Sequence, residues 1–207
     1  CAEVRRLDPY LEGAMRQPAE IAILYNRTAG IWRDFAYNTE QDARYIHWAL
    51  SHAGYDADII SEDDIACGLL KNYRLLYING IQLRRDAAEA VADWVKGGGW
   101  LVGTLGVATR DPFGRPLDTL NAVFGVTPGA LHSMENAGRP MYETPRLQSL
   151  GRVTTRDGVA FDLLAGRESL QPQPYAAVLM EHAGNPVGTL ASYGSGKAFR
   201  MAALPEP

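Results

Sequence analysis

Short apolar runs alternate with amphipathic segments through the first half of the chain, and this alternation limits the folds open to it. Residues 21–25 (IAILY) form a continuous apolar run that is bounded by Pro18 and Asn26. A run of this kind is typical of a strand that is buried on both faces, as in a parallel sheet. The sequence predicts three further strands, at residues 56–60, 73–78 and 100–102. Strands that alternate with helices predict βαβ units with right-handed crossovers.

The helices between these strands are marked by capping residues and by periodic apolar positions. In the first helix, Asn38 is placed to cap the start, Gln41 to reach back to it, and Gly54 to end the helix in a left-handed conformation. The apolar residues of this helix share one face, at Ala43, Ile46 and Leu50. We predict a long turn at residues 26–37 and further helices at residues 63–70, 85–96 and 117–124.

The pattern changes after Gly129. Residues 130–150 are rich in turn-forming residues, and an Asp-Gly pair at 157–158 lies between two short apolar runs, which predicts a hairpin. Residues 194–197 (GSGK) also predict a hairpin turn, because a Walker loop needs four residues between its glycines and Ser or Thr after the lysine. We therefore predict a helical lead-in at residues 1–18, an α/β domain at residues 19–129 and a β-rich extension at residues 130–207 that completes the same domain.

Composition excludes several classes of protein. The 207 residues are 46% hydrophobic and carry a net charge of −4, so the chain can bury a normal core but lacks the basic face that nucleic acid requires. No apolar run approaches the roughly 18 residues of a membrane span. The spacing of possible ligands fits neither zinc nor calcium, so we predict no metal site and no cofactor.

The two cysteines give different signals. Cys1 is either the lipid-anchored end of a mature chain or the start of a cut fragment, and the sequence does not decide the compartment. Cys67 lies in an apolar neighbourhood, which predicts a buried and inert thiol.

Candidate functional residues follow the predicted strands, because a doubly wound sheet binds ligands at the carboxyl ends of its strands. Asn26 and Asn79 each follow a strand, and the fourth strand runs into the turn formed by Gly103, Thr104, Leu105 and Gly106. Enzymes use a turn of this kind to present a serine or cysteine nucleophile. Leu105 has no nucleophilic atom, and Thr104 would need an activating base. We therefore predict a degenerate nucleophile turn and no catalytic residue.

A histidine beside an acid is the other possible source of chemistry. His182 follows Glu181, but adjacent residues of a strand point to opposite faces of the sheet, so the pair is a weak dyad signal.

An aromatic cluster follows the first strand and is formed by Trp32, Phe35 and Tyr37. It has two interpretations, packing in the core or a surface patch for an interface or a sugar, because loops at this edge of a sheet carry function and aromatic residues dominate binding hot spots.

Three segments carry a resemblance to a known family. Residues 19–25 (AEIAILY), 73–77 (YRLLY) and 92–102 (ADWVKGGGWLV) resemble the middle, or trimerisation, domain of family 42 β-galactosidases. The resemblance covers residues 2–126 well and continues loosely to the end of the chain. It implies an α/β fold with a doubly wound, mostly parallel, flavodoxin-like sheet of the class I glutamine amidotransferase-like type and a β-rich C-terminal extension.

The resemblance carries over no catalytic residue. In active amidotransferases the turn after the fourth strand holds a cysteine and a later His-x-Glu completes the triad, and this sequence has neither. In family 42 enzymes the catalytic glutamates belong to a separate barrel domain. The resemblance thus implies a non-catalytic domain of a β-galactosidase-like glycoside hydrolase, or a free-standing relative, acting in oligomer assembly. Its expected partners are other copies of itself or a glycosidase barrel domain.

Two alternatives remain open. The chain could be a module that binds a carbohydrate or small ligand at the carboxyl edge of the sheet, with Trp32, Asn79 and Thr104 as contacts. It could also be a divergent amidotransferase-like hydrolase that uses Thr104 or His182.

Overall fold

The structure is a computed structural model, and it describes residues 5–6, 9–10, 12, 18–32, 39–133, 151–163 and 166–204. The first half alternates strands and helices, in the order β1 (Ile21–Tyr25), α1 (Arg27–Trp32), α2 (Thr39–His52), β2 (Ala57–Ser61), α3 (Glu62–Ala66), a 3-10 helix (Leu69–Asn72), β3 (Leu75–Ile78), α4 (Arg85–Lys96) and β4 (Trp100–Gly103). The second half contains α5 (Asn121–Phe124), β5 (Val126–Ser133), β6 (Arg152–Thr155), β7 (Ala160–Asp162), β8 (Gly166–Pro172), β9 (Ala176–His182), β10 (Asn185–Tyr193), β11 (Gly196–Met201) and β12 (Ala203–Leu204).

The strands of the described residues form two sheets. The larger one has nine strands in the order β2-β1-β3-β4-β11-β10-β9-β6-β7. Strands β2, β1, β3, β4 and β11 are parallel, and the neighbours from β11 to β7 are antiparallel. The smaller sheet is antiparallel and has the order β12-β8-β5. The predicted α/β fold with a parallel first half is confirmed at this level.

The central parallel strands β1 and β3 bury residues on both of their faces, as their continuous apolar runs predict. On one face, Ile23 of β1 and Tyr77 of β3 pack against α2, whose contacts are the predicted positions Ala43, Ile46 and Leu50. On the other face, Leu24 and Leu76 join the main core with residues of α3, α4 and α5. The alternation of these neighbours along each strand follows from the two-residue period of a strand.

Local signals decide several of the element ends. Gly54 has a φ of 80° after α2, as its predicted role as a left-handed C-cap requires. Ser61 caps α3: its Oγ accepts a hydrogen bond from the backbone N–H of Asp64 (3.2 Å), and the Asp64 carboxylate accepts one from the Ser61 N–H (2.8 Å). The hydrogen bonds from the Ser61 hydroxyl and N–H lower the pKa of the Asp64 carboxyl.

Both predicted hairpins are confirmed. Strands β6 and β7 pair around the Asp-Gly turn at 157–158. Strands β10 and β11 pair from Tyr193 to Gly196 around Gly194, which has a φ of 60°. A Cβ at Gly194 would lie 2.4 Å from the carbonyl oxygen of Lys96, so this turn requires glycine for space as well as for φ.

Other predictions are wrong or lie outside the described residues. Residues 27–32 are not part of a long turn but form α1, and the predicted helix at 117–124 is reduced to Asn121–Phe124. Residues 126–133, at the start of the predicted turn-rich stretch, form strand β5. Cys67 is exposed rather than buried, because it directly follows the last residue of α3 in a stretch, residues 66–68, that is exposed throughout. Phe35, Tyr37, Asn38 and most of residues 1–18 lie outside the described residues.

Candidate functional site at the carboxyl edge of the parallel strands

The predicted site residues follow three neighbouring strands, β1, β3 and β4, at the edge where these parallel strands end. Asn26 follows β1, Asn79 follows β3, and the turn 103–106 begins at the last residue of β4. Asn26, Asn79 and the turn 103–106 therefore lie at the same edge of the sheet, as the strand pattern predicts. What each group does there follows from its partners.

The turn after β4 is closed. Thr104 is fully buried and Leu105 is buried, and the backbone N–H of Val107 donates to the carbonyl of Thr104 (3.2 Å), which tightens the turn. The space beside Gly103 is filled, because a Cβ there would lie 2.4 Å from Cζ of Phe124. A substrate therefore has no path to the hydroxyl of Thr104.

The unusual backbone angles of this turn lie after the two candidate residues. Gly106 has a φ of 67° and Ala108 a φ of 52°, and the N–H of Ala108 donates to the carbonyl of Gly80 (2.9 Å). A nucleophile turn holds its reactive residue in such a strained conformation with the side chain exposed. Here these positions are Gly106, which has no side chain, and Ala108, whose methyl group is buried, so neither exposes a reactive atom.

A buried ion pair, which sequence reasoning did not identify, fixes the turn. The Glu168 carboxylate on β8 accepts hydrogen bonds from Nη2 of Arg200 on β11 (2.5 Å) and from the backbone N–H of Gly106 (3.1 Å). Nη1 of Arg200 donates to the carbonyl of Val107 (3.1 Å), and the guanidinium lies 5.4 Å from the ring centre of Phe124. The turn is thus tied to both sheets by a pair whose two side chains are 2% exposed.

Asn26 holds the edge together. Its Nδ2 donates to the backbone carbonyls of Asn79 (2.7 Å) and Gln82 (2.8 Å), and its Oδ1 accepts from the N–H of Ala29 (3.0 Å). The last of these bonds makes Asn26 the N-cap of α1. All of these hydrogen bonds join Asn26 to the backbone of the chain itself, so its side chain has a structural role.

Asn79 is also engaged internally. Its Nδ2 donates to the carboxylate of Asp42 on α2 (2.6 Å), and the hydroxyl of Tyr77 donates to both oxygens of the same carboxylate (2.8 and 2.9 Å). Asp42 is buried, and sequence reasoning did not single it out. A buried carboxylate needs such partners, and these bonds attach α2 to the end of β3.

The carboxylate of Glu62 lies at the starts of two helices at this edge, α1 and α4. The buried Glu62 accepts from the N–H (3.2 Å) and the hydroxyl (2.6 Å) of Thr28 in α1, and from the N–H of Arg84 before α4 (2.9 Å). Backbone N–H groups at helix starts attract anions. Glu62 takes that place at both helices, which disfavours a phosphate ligand here.

Trp32 is the one predicted contact residue of the described chain with a large exposed ring. The indole is 47% exposed, and its Nε1 donates to the carbonyl of Pro112 (2.9 Å). This exposure disagrees with packing in the core, and the use of Trp32 in an interface or sugar patch stays a prediction. Phe113, which the sequence reasoning missed, is 77% exposed in the loop beside it.

The remaining titratable candidates do not form a catalytic group. His182 is buried and Glu181 is exposed, as expected for adjacent residues of a strand. Within the described ranges, no three His, Cys, Asp or Glu residues lie close enough to hold a metal ion. No helix in these ranges is long and apolar enough to span a membrane.

Two surface cavities lie away from the carboxyl edge. One, of about 380 Å³, lies at the amino ends of β1, β3 and β4. The other, of about 600 Å³, lies over the antiparallel strands β6, β9 and β11.

Comparison with known proteins identifies where this fold occurs. The chain superposes on the GH42 β-galactosidase Gan42B of G. stearothermophilus with a TM-score of 0.81 and 20% sequence identity. The β-galactosidases of Rahnella sp. R3 (TM-score 0.80, 20% identity) and Bacillus circulans sp. alkalophilus (TM-score 0.79, 18% identity) give the same result. Each alignment covers 99% of this chain but only 30%, 32% and 31% of the three enzymes, respectively. The chain thus has the fold of a segment that makes up less than a third of these enzymes.

Comparison at the level of sequence adds nothing further, since no family model matches the chain. No curated protein matches it either.

Proposed function

We propose that this chain is a non-catalytic domain of a family 42 β-galactosidase-like glycoside hydrolase, or a free-standing relative of that domain, and that it acts in oligomer assembly. The observation that carries the proposal is the superposition of 99% of the chain on a segment that amounts to 30% of a GH42 β-galactosidase. The closed turn at 103–106 supports it, because the Thr104 hydroxyl is buried and has no hydrogen-bond partner among the described residues.

The order of the parallel strands supports a more specific origin. Strands β2-β1-β3-β4-β11 follow the 2-1-3-4-5 order of flavodoxin-like sheets, with β11 in the place of the fifth strand. We propose that the domain is of the class I glutamine amidotransferase-like, doubly wound type and that its nucleophile turn has lost its function. The Glu168–Arg200 pair then fixes the turn as part of the core instead of presenting a reactive group.

An assembly role also agrees with the surface. Large apolar side chains are exposed at both ends of the parallel strands: Ile31, Trp32 and Phe113 at the carboxyl edge, and Tyr55 and Trp100 at the amino edge. Exposed aromatic residues of this size are typical of protein interfaces. The partner is a second copy of the chain or the glycosidase barrel domain of a parent enzyme.

Sedimentation analysis of the purified chain over a wide range of concentration tests the proposal. We expect a reversible increase in mass as the concentration rises. A strict monomer at the highest concentration would overturn the assembly role.

One observation favours a second candidate function, binding of a carbohydrate at the carboxyl edge. The exposed indole of Trp32 is held in place by its bond to Pro112, and a fixed aromatic ring is a suitable platform for the apolar face of a sugar. Titration with galactosides and simple sugars tests it, and the absence of any heat or fluorescence change would exclude it.

A further inference from the structure

The loop at residues 110–116 is built to hold its tip rigid, and this rests on a buried carboxylate. Oδ1 of Asp111 accepts from the backbone N–H groups of Phe113 and Arg115 (both 2.9 Å), and Oδ2 accepts from Nη2 of Arg85 (2.9 Å). The N–H of Gly114 donates to the Asp111 carbonyl, and the Asp111 N–H donates to the Arg115 carbonyl (2.8 Å). The loop therefore loses little conformational freedom when it binds a partner.

The tip of this loop carries an exposed apolar surface that the fold does not use. Phe113 and Ile31 are 77% and 73% exposed, and Trp32, the last residue of α1, has its ring edge against Gly114 of the loop. The guanidinium of Arg115 lies 5.8 Å from the ring centre of Phe113, so a cation borders the aromatic tip. We call Ile31, Trp32, Phe113 and Arg115 the aromatic knob.

The cavity at the amino edge has the complementary character. Its lining includes the apolar and aromatic residues Ile21, Leu75, Tyr55 and Trp100. Its charged lining residues are Glu20, Asp56 and Arg74, and Arg74 pairs with Glu20 (3.2 Å). Asp56 is exposed and has no hydrogen-bond partner among the described residues, so it is available to a cation from outside.

The knob and the cavity cannot meet within one molecule. They lie at opposite ends of strands of four or five residues, which separates them by about 13–16 Å of sheet alone. The aromatic knob carries the positive Arg115, and the apolar cavity carries the exposed carboxylate of Asp56. Because the two features lie at opposite ends of one chain, they can contact each other only between two copies.

We propose that the aromatic knob of one copy binds in the amino-edge cavity of the next, with Arg115 facing Asp56. This inference rests on the proposed assembly role and names its interface. The contact is head-to-tail, so repetition produces a closed ring or an open filament and not a two-fold dimer. Phe113 is the anchor, because a rigid, exposed aromatic residue that becomes fully buried has the properties of a hot spot.

Sedimentation of the full chain and its variants tests the interface. We expect Phe113→Ser to weaken self-association about thirtyfold or more, the loss that truncation of a hot spot produces. Val159→Ser is the matched control, because Val159 is another exposed apolar residue and lies in the distant β6–β7 hairpin. Thermal unfolding of each variant confirms that the fold is intact.

A charge exchange distinguishes this contact from any other use of the knob. Arg115→Glu and Asp56→Arg should each weaken association about tenfold or more, because each places like charges opposite each other. The double variant should associate again with nearly the original strength.

The outcomes separate the two proposals. If the wild-type chain associates but Phe113→Ser and Arg115→Glu behave like it, the interface is overturned and the assembly role stands. Failure of the double variant to recover overturns the pairing of Arg115 with Asp56. A wild-type chain that is always monomeric overturns both proposals.

Discussion

Glu168 and Arg200 form an ion pair with an oxygen to nitrogen distance of 2.5 Å, and both side chains are 2% exposed. The pair joins the smaller sheet to the larger one, because Glu168 belongs to β8 and Arg200 to β11. The Glu168 carboxylate also accepts a hydrogen bond from the N–H of Gly106, so it connects the two sheets and the turn after β4. A charge in this position is stable only while its partner is present.

Removal of one partner should therefore cost much more than removal of an exposed pair. We expect Glu168→Gln to lower the free energy of unfolding by about 3–5 kcal/mol, because it leaves the buried guanidinium without a countercharge. Urea unfolding measures this loss. Arg74→Gln is the control: it breaks the exposed Arg74–Glu20 pair and should cost at most about 1 kcal/mol. Equal losses in the two variants would contradict the role given to Glu168.

The hydroxyl of Thr104 should be dispensable. It is fully buried and has no hydrogen-bond partner among the described residues, so Thr104→Val removes a desolvated polar group without a large change in shape. We expect the free energy of unfolding to stay the same or to rise by about 1–2 kcal/mol. Any hydrolytic activity found for the chain should also be unchanged.

Thr28→Val provides the contrast for Thr104. It makes the same chemical change but removes a 2.6 Å hydrogen bond to the buried carboxylate of Glu62. A loss of about 1.5–3 kcal/mol is expected, as for other hydrogen bonds to charged groups. A larger loss from Thr104→Val than from Thr28→Val would show that the Thr104 hydroxyl has a partner or a function.

The sequence predicted those features whose causes are local. The strands of the parallel half follow from their apolar runs, and the contact face of α2 follows from the spacing of Ala43, Ile46 and Leu50. The hairpin at Gly194 follows from its turn residues. Each of these elements is decided within about ten residues, so periodicity and turn chemistry are sufficient to find it.

The features that the sequence missed depend on partners far along the chain. Helix α1 contains Gly30 and two β-branched residues, Thr28 and Ile31, and has little propensity of its own. It forms because Asn26 caps it and because Glu62, 34 residues beyond Thr28, accepts hydrogen bonds from the N–H and the hydroxyl of Thr28. Strand β5 contains Pro128 and Gly129, which resemble turn residues, and it becomes a strand only by pairing with β8 across an irregularity at that position.

The candidate site shows the same division. Its position at the carboxyl edge follows from the strand pattern, but the roles of its residues do not. Asn26 and Asn79 look like ligand contacts in the sequence, because nothing local reveals that Gln82 and Asp42 bind them. The sequence identified only part of the aromatic knob: it pointed to Trp32 but not to Phe113, which follows 81 residues later.

Asn26 should contribute to stability rather than to ligand binding. Asn26→Ala removes the cap of α1 and leaves two buried carbonyls, those of Asn79 and Gln82, without their donor. We expect a loss of about 2–3 kcal/mol in the free energy of unfolding. Asn26→Ser keeps a capping acceptor but not the two donations, so the difference between the variants separates the two contributions. Asn185→Ala, at an exposed turn, should change stability by no more than about 0.5 kcal/mol.

The carboxyl of Asp111 should make the knob loop sensitive to acid. Burial opposes its ionisation, but the N–H groups of Arg115 and Phe113 and the guanidinium of Arg85 outweigh burial and lower its pKa. A group whose pKa is lowered in the folded state stabilises that state above its ordinary value, about 4 for Asp. This contribution is lost as the pH falls below that value, through the lowered pKa of the folded protein.

Hydrogen exchange provides the direct measurement of this effect. Near neutral pH, the amides of Phe113 and Arg115 should be protected in the wild type and should exchange faster in Asp111→Ala, because their acceptor is removed. Asp111→Asn retains an acceptor oxygen without the charge, so it should keep part of this protection and lose the acid dependence. Asp93→Asn, on the exposed face of α4, controls for the loss of one carboxylate. Unchanged exchange of both amides in Asp111→Ala would mean that Asp111 does not hold the loop, and the rigidity assigned to the knob would have no basis.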